Sequence, residues 1–181
     1  GGNSWVGKGW ELEPGYITRP NKFGAGNSSN PYLLSLNGET HELVSIGSGQ
    51  YRTKNETFKR IQFSGSVWQV WEKDGTEYKF ETSSAGRWVL TKVTDIHGVS
   101  INLSYNRPNS EQIYLSEINY PVGAGLTPYC KVKFITESRS DVPLSYYYGS
   151  LYRINQRLKQ IEILAEGRLQ KKYALNYTTD G

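Results

Sequence analysis

Residues 67–81 read VWQVWEKDGTEYKFE, two runs of alternating apolar and polar residues around a polar turn. Such alternation describes a β-hairpin, and the turn decides which side chains share a face. A two-residue Asp74-Gly75 turn sets Val70 opposite Lys79 and Trp68 opposite Glu81, which mixes apolar with charged residues on each side. A three-residue loop of Lys73, Asp74 and Gly75, with Gly75 in the left-handed position of a bulged turn, sets Trp68 opposite Phe80 and Val70 opposite Tyr78. One face then carries Trp68, Val70, Tyr78 and Phe80. The other carries Gln69, Glu77, Lys79 and a lone Trp71. Because a one-residue slip exchanges the faces, the register that sorts them is the expected one.

The same reasoning extends along the chain. In YLLSLNGETHELV, residues 32–44, Asn37-Gly38 is a type I′ hairpin signal that sets Tyr32 opposite Leu43 and Leu34 opposite His41. Near the end, in RLKQIEILAEGRLQKKYALNY, a loop of Ala165, Glu166 and Gly167 is expected to pair Ile163 with Leu169 and to bring Ile161, Tyr173 and Leu175 onto one face. Gly38, Gly75 and Gly167 are thus the turn residues that set register. Between the hairpins, Val99, Ile101, Leu103 and Tyr105 alternate with Ser100, Asn102 and Ser104. Pro108, Pro121, Pro128 and Pro143 are expected between strands, where a missing backbone donor does no harm. The stretch SLYRINQRLKQIEILAEG also fits helical spacing through Leu151, Ile154, Leu158 and Ile161, with a short helical turn at 150–156 as the alternative to strand. The expected fold is all-β, with antiparallel hairpins in a meander that forms a layered or strongly curved sheet and contains little or no helix. Residues 1–31 are a Gly- and aromatic-rich opening segment, residues 32–177 a succession of hairpins, and 1–181 one β-rich domain of a larger protein.

Composition supports this reading. The 181 residues include 14 Tyr, 5 Trp, 5 Phe and 19 Gly, a bias toward strands joined by tight turns. The net charge is +4, but Lys and Arg are scattered among Glu, so the basic stripe that nucleic acid requires is not visible. No apolar run is long enough for a membrane-spanning helix. The single cysteine, Cys130, rules out an internal disulfide and reads as an apolar filler in a strand.

Chemistry-bearing patterns are sparse. His41 belongs to a hairpin at the margin of the core, and His97 to the turn TDIHGV; Asp95 and Ser100 near His97 make a weak triad by spacing. Glu72, Asp74, Glu77, Glu81 and Asp95 are candidate paired carboxylates, but they fall at strand edges and turns. No phosphate-cradling glycine loop or calcium-loop spacing occurs, and no catalytic, cofactor or metal residue is assigned. The surface with a functional reading is aromatic: Trp71, Trp88, Tyr146, Tyr147 and Tyr148 are either a stacking platform for glycans or packing residues for another β-layer.

Four segments together, VGKGWELEPGYITRP, VWQVWEKDGTEYKFE, WVLTKVTDIHGVSINLSYN and RLKQIEILAEGRLQKKYALNY, resemble the Rhs and YD-repeat proteins. The likeness is to the SpvB-like amino-terminal region of bacterial toxin-complex B subunits and related large surface or secreted proteins. It departs from a run of typical repeats, since Val99 follows Gly98 and no tyrosine-aspartate dipeptide occurs. The resemblance implies successive hairpins wound into a hollow shell around a carboxy-terminal effector. It also implies a non-enzymatic scaffold role, no cofactor, secretion or surface display, and as partners the remainder of its own chain or other toxin-complex subunits. A carbohydrate-binding module is the alternative.

Overall fold

A computed structural model describes residues 3–19, 31–82, 86–109, 112–122, 129–147 and 150–178, with side chains at 3, 82, 144–147 and 150–152 outside the description. Its strands are β1 (Asn3–Ser4), β2 (Gly7–Lys8), β3 (Gly15–Thr18), β4 (Tyr32–Leu36), β5 (Glu39–Gly47), β6 (Gln50–Thr53), β7 (Arg60–Ser64), β8 (Val67–Trp71) and β9 (Glu77–Thr82). They continue with β10 (Arg87–Thr94), β11 (Ser100–Asn106), β12 (Tyr114–Val122), β13 (Cys130–Ser138), β14 (Leu144–Tyr147), β15 (Ser150–Arg153), β16 (Gln156–Ala165) and β17 (Arg168–Ala174). There is no helix among the described residues, and the 151–161 stretch with helical spacing is divided between β15 and β16.

Strands β3 to β10 pair each with the next, except that β3 and β10 also pair with one another, so eight antiparallel strands close into a barrel. An even number is what an up-and-down meander needs to close antiparallel, and eight gives an interior that side chains alone can fill. Ile17, Leu34, Ile61, Trp68, Val70 and Phe80 fill it and are the largest fully buried side chains. The strongly curved sheet expected from the alternating hairpins is this barrel.

The wall splits along β10. Its first half pairs with β3 through Trp88 opposite Ile17, and its second half pairs with β11 through Val93 opposite Ile101. A bulge between Leu90 and Lys92 marks the transition on the β9 side. The interruption leaves a carbonyl to be satisfied, and the Tyr105 hydroxyl donates to Leu90 O at 2.7 Å, while Thr91 Oγ1 donates to Lys79 O at 3.2 Å. From there the sheet runs on as β11, β12, β13, β16 and β17, with the β14–β15 hairpin inserted between β13 and β16.

The apolar side of this extension continues the barrel core through Leu103, Leu115, Phe134 and Leu158. The opening segment packs over it: Trp5 meets Tyr114 and Phe134 edge-on at 5.9 and 6.3 Å, and its carbonyl accepts from Leu158 N at 2.7 Å. Arg139 Nη1 donates to Ser4 O at 3.4 Å. The first and last parts of the chain are thus tied to each other, and the extension does not stand on hairpin pairing alone.

Turn chemistry sets the registers. Asn37 and Gly38 have φ of 55° and 80°, the type I′ geometry, and β4 pairs with β5 through Tyr32 opposite Leu43 and Leu34 opposite His41. In β8–β9, Gly75 N donates to Glu72 O at 3.0 Å and Glu72 N to Thr76 O at 2.9 Å, enclosing three residues; Gly75 has φ of 90°. Trp68 then lies opposite Phe80 and Val70 opposite Tyr78. The β16–β17 turn differs from the expected three-residue loop. Glu166 and Gly167 form a two-residue turn, φ 47° and 74°, with Ala165 opposite Arg168 and Leu164 opposite Leu169. Ile163 faces Lys171, not Leu169, and the register shift between Ile163 and Leu164 sets Ile161 opposite Tyr173, so those two share a face as expected. Glu166 tolerates positive φ, so the shorter turn forms and the extra residue is absorbed as a bulge inside the strand.

Candidate functional site

The aromatic residues of the 67–81 hairpin divide between the two sides of the barrel wall. Trp68 is wholly buried, with ring centroids of Phe63, Tyr51 and Tyr32 at 4.6, 4.7 and 4.8 Å. Trp88 joins the same cluster at 6.1 Å from Trp68 and donates its indole N–H to Ser66 O at 3.1 Å, in the turn between β7 and β8. The Arg19 guanidinium lies 4.7 Å from the Tyr32 ring centroid at the edge of this cluster. Edge-to-face and tilted ring pairs of this kind add to the burial itself. Trp88 is therefore a component of the barrel's aromatic packing.

Trp71 sits on the outer side of the wall, across from Arg60 on β7 and Glu77 on β9. It is half-buried, and the Arg60 guanidinium stacks over its ring at 3.9 Å from the centroid. A flat aromatic face that receives a sugar must be open; this ring already has a cation on one face. Trp71 and Trp88 lie at opposite ends of the β8 neighbourhood and on opposite faces of the wall, so the structure does not bring them into one platform. Tyr146 and Tyr147 belong to β14, whose side chains lie outside the described residues, and Tyr148 lies outside them entirely.

The titratable candidates are engaged in local structure. Asp95 Oδ1 accepts from His97 N at 2.8 Å and Val99 N at 2.9 Å, so the carboxylate caps its own turn and does not orient the imidazole. Ser100 is buried, its hydroxyl 3.0 Å from Thr94 Oγ1. His97, Asp95 and Ser100 are not assembled as a triad. His41 Nε2 is 3.0 Å from Glu39 Oε2. Glu72 pairs with Lys59 at 2.7 Å, Glu77 accepts from Gln69 at 2.7 Å, Glu81 pairs with Lys79 at 3.0 Å, and Asp74 accepts from Thr76 N at 2.9 Å. Cys130 is a half-buried free thiol at the start of β13. Among the described residues no group of three or more His, Cys, Asp and Glu could hold a metal ion.

One concave feature was not read from the sequence. A cleft of about 400 Å³ is lined by Glu11, Glu13 and Tyr16 from the opening segment and β3, and by Ser35, the Asn37-Gly38 turn and Thr40 from the next hairpin. Of its lining, Glu13 Oε1 accepts from Arg87 Nη2 at 2.5 Å, and the Arg87 guanidinium stacks on Tyr16 at 4.5 Å. Burial pushes the Glu13 carboxyl above the usual carboxylate range, with Arg87 pulling it back, and burial together with the Glu13 charge pushes the Tyr16 phenol up. The pair joins β10 to the segment leading into β3, at the seam where the barrel closes. Its chemistry is that of a staple across that seam. Periodicity could not reveal it, because Glu13 and Arg87 are 74 residues apart.

No protein-family model matches the sequence, and no curated protein matches it. Solved structures do. The N-terminal domain of the effector protein SpvB from Salmonella typhimurium aligns with a TM-score of 0.69 at 17% identity, covering 98% of this chain and 91% of that domain. TcdB2-TccC3 aligns with a TM-score of 0.71 at 17% identity, covering 91% of this chain and 12% of that one. The Tc holotoxin pore of Photorhabdus luminescens aligns at 0.63 and 16% identity, again over 91% of this chain and 12% of that one. The chain thus has a toxin-complex-related fold. It spans nearly all of the SpvB domain and about an eighth of the Tc chains.

Proposed function

We propose that this chain is a non-enzymatic scaffold segment of a large bacterial Rhs-like or toxin-complex-like protein, secreted or displayed at the cell surface, and that it contributes to a β-shell that encloses or presents a carboxy-terminal effector. The observation that carries the reading is where the aromatic side chains go. Trp68, Trp88, Tyr32, Tyr51 and Phe63 pack against one another in the barrel, the catalytic candidates are held in turns and ion pairs, and 91% of the chain matches a fold that also occurs as a small part of a much longer toxin chain. Partners on this reading are the remainder of its own chain or other toxin-complex subunits. Deleting this segment from a longer chain that carries it is expected to expose the enclosed region to added protease; unchanged protection would overturn the shell role.

The second reading, a carbohydrate-binding module, draws on Trp71, which lies on the outer wall. A glycan screen followed by tryptophan fluorescence, with Trp71→Ala as control, separates the two. The scaffold reading expects no saturable change. Saturable binding that disappears in Trp71→Ala would favour the module.

A further inference from the structure

We propose that the outer edge of β17 is a docking edge for an extended polypeptide strand carrying carboxylate side chains; the inference rests on the scaffold reading, since a scaffold segment needs a joint. Barrel closure removes both edges from the first eight strands of the main sheet, and β17 is the terminal strand of the extension. Among the described residues no strand lies on its outer side, and all seven of its residues are exposed. Leu169 and Tyr173, at 54% and 47% exposure, are apolar contacts in waiting along it. A row of open N–H and C=O groups is a template for strand addition. The Leu175 amide turns inward to Lys159 O at 2.9 Å, so alternation turns the amides of Lys172 and Ala174 outward.

Charge selects the occupant. Within RLQKKYA there are three cations, Arg168, Lys171 and Lys172, and no acid. A second copy offering the same edge would bring like charges face to face, which is how natural sheets refuse self-pairing. A strand with carboxylates meets the same lysines as opposite-charge cross-strand pairs. Lys172 faces Glu162 on the inner side and Lys171 faces Ile163, so the two lysines project from opposite faces of the sheet. The complementary strand therefore carries two acids in succession, one per face, between β-branched residues.

The test uses two synthetic probes, acetyl-TVEEVTV-amide and acetyl-TVKKVTV-amide, titrated into the ¹⁵N-labelled chain and followed by NMR. The acidic peptide is expected to shift the Lys172 and Ala174 amides and to slow their hydrogen exchange by about tenfold or more, the protection a new ladder bond confers, and the basic peptide to leave them unmoved. K171E/K172E is expected to invert that preference, and K171Q/K172Q to abolish it while keeping the fold. Absence of any shift with the acidic peptide, shifts confined to another surface, or concentration-dependent dimerisation of the unaltered chain through β17 would each overturn the proposal. Those results leave the scaffold reading standing, because it fails on the protease-protection and glycan experiments instead.

Discussion

Two turns of the same type give a matched experiment on how tightly the barrel is packed at its rim. Asn37-Gly38 and Ser48-Gly49 are both two-residue turns with positive φ at each position, 55° and 80° in the first and 52° and 73° in the second. They differ in what surrounds the glycine. A Cβ on Gly38 would meet nothing within 4 Å, whereas one on Gly49 would lie 2.5 Å from the backbone oxygen of Phe63. That oxygen belongs to β7, and Phe63 N donates to Gly49 O at 2.7 Å, so the turn is clamped against the neighbouring strand. Alanine in the left-handed region costs roughly 1–2 kcal/mol, offset by about 0.4–1 kcal/mol from the loss of glycine's freedom in the unfolded chain. Gly38→Ala should therefore destabilise by about 1 kcal/mol. Gly49→Ala carries the same conformational term plus the overlap, at roughly 1–3 kcal/mol for overpacking, and a strained or lost hydrogen bond of about 1 kcal/mol. The total is about 3–5 kcal/mol, which for a chain of this size lowers Tm by roughly 6–20 °C, against about 2–4 °C for Gly38→Ala. Urea unfolding followed by tryptophan fluorescence measures both, with an unchanged slope required for the comparison. Equal losses for the two variants would refute the clamp and leave only the shared conformational cost.

Three further perturbations probe other joints. Gly75→Val is expected to cost about 1–2 kcal/mol, from a β-branched residue at positive φ; the 2.8 Å approach to Ile96 Cγ2 adds little, because that exposed side chain can turn away, and an unaltered melting temperature would refute the bulged turn. Tyr105→Phe should destabilise by roughly 1–3 kcal/mol by stranding the Leu90 carbonyl at the bulge, with faster amide exchange across β10–β11 as the local readout. Hydrogen bonds from Arg139 hold the Asp141 carboxyl down at about 2, against an ordinary value of 3.8, and the partner Arg139 is shifted up, in the matching direction. A depressed folded-state pKa contributes stability that is present above pH 4 and disappears as pH falls from about 4 to about 2, so Asp141→Asn should be less stable than the parent at pH 5 and indistinguishable from it below pH 2 in urea midpoints. A gap that persists at pH 1.5 would show that the pair matters through shape and not charge.

Local pattern was enough for the all-β class and for the two hairpins with the firmest turn chemistry. In both, alternation and a glycine at a defined offset point to the same register, and the buried set Trp68, Val70 and Phe80 follows from it. The β16–β17 turn shows where that logic loses its grip. Its strand is exposed on every residue, so nothing in the core distinguishes one register from its neighbour, and turn preference alone settles the loop length. Closure of the barrel was not legible for a different reason. It depends on β3 reaching β10, a pairing of Tyr16 with Val89 across more than seventy residues, and no short-range signal specifies which distant edge a strand will meet.

Trp71 and Trp88 do not share one platform, and the reason lies in how the sheet closes. Period-2 alternation sends Trp68 inward and Trp71 outward from one strand, and aromatics on opposite faces of a strand do not share a surface. Closing the sheet turns one face into a core, which takes in Trp68 and Trp88, while Trp71 lies under Arg60 on the outer wall. Charge and edge geometry, not aromatic content, then become what the molecule offers to others. The eight barrel strands close on one another, and among the described residues β17, with two lysines and one arginine and no acid, has no strand on its outer side. On the proposal above, that edge is where an acidic strand adds to the main sheet.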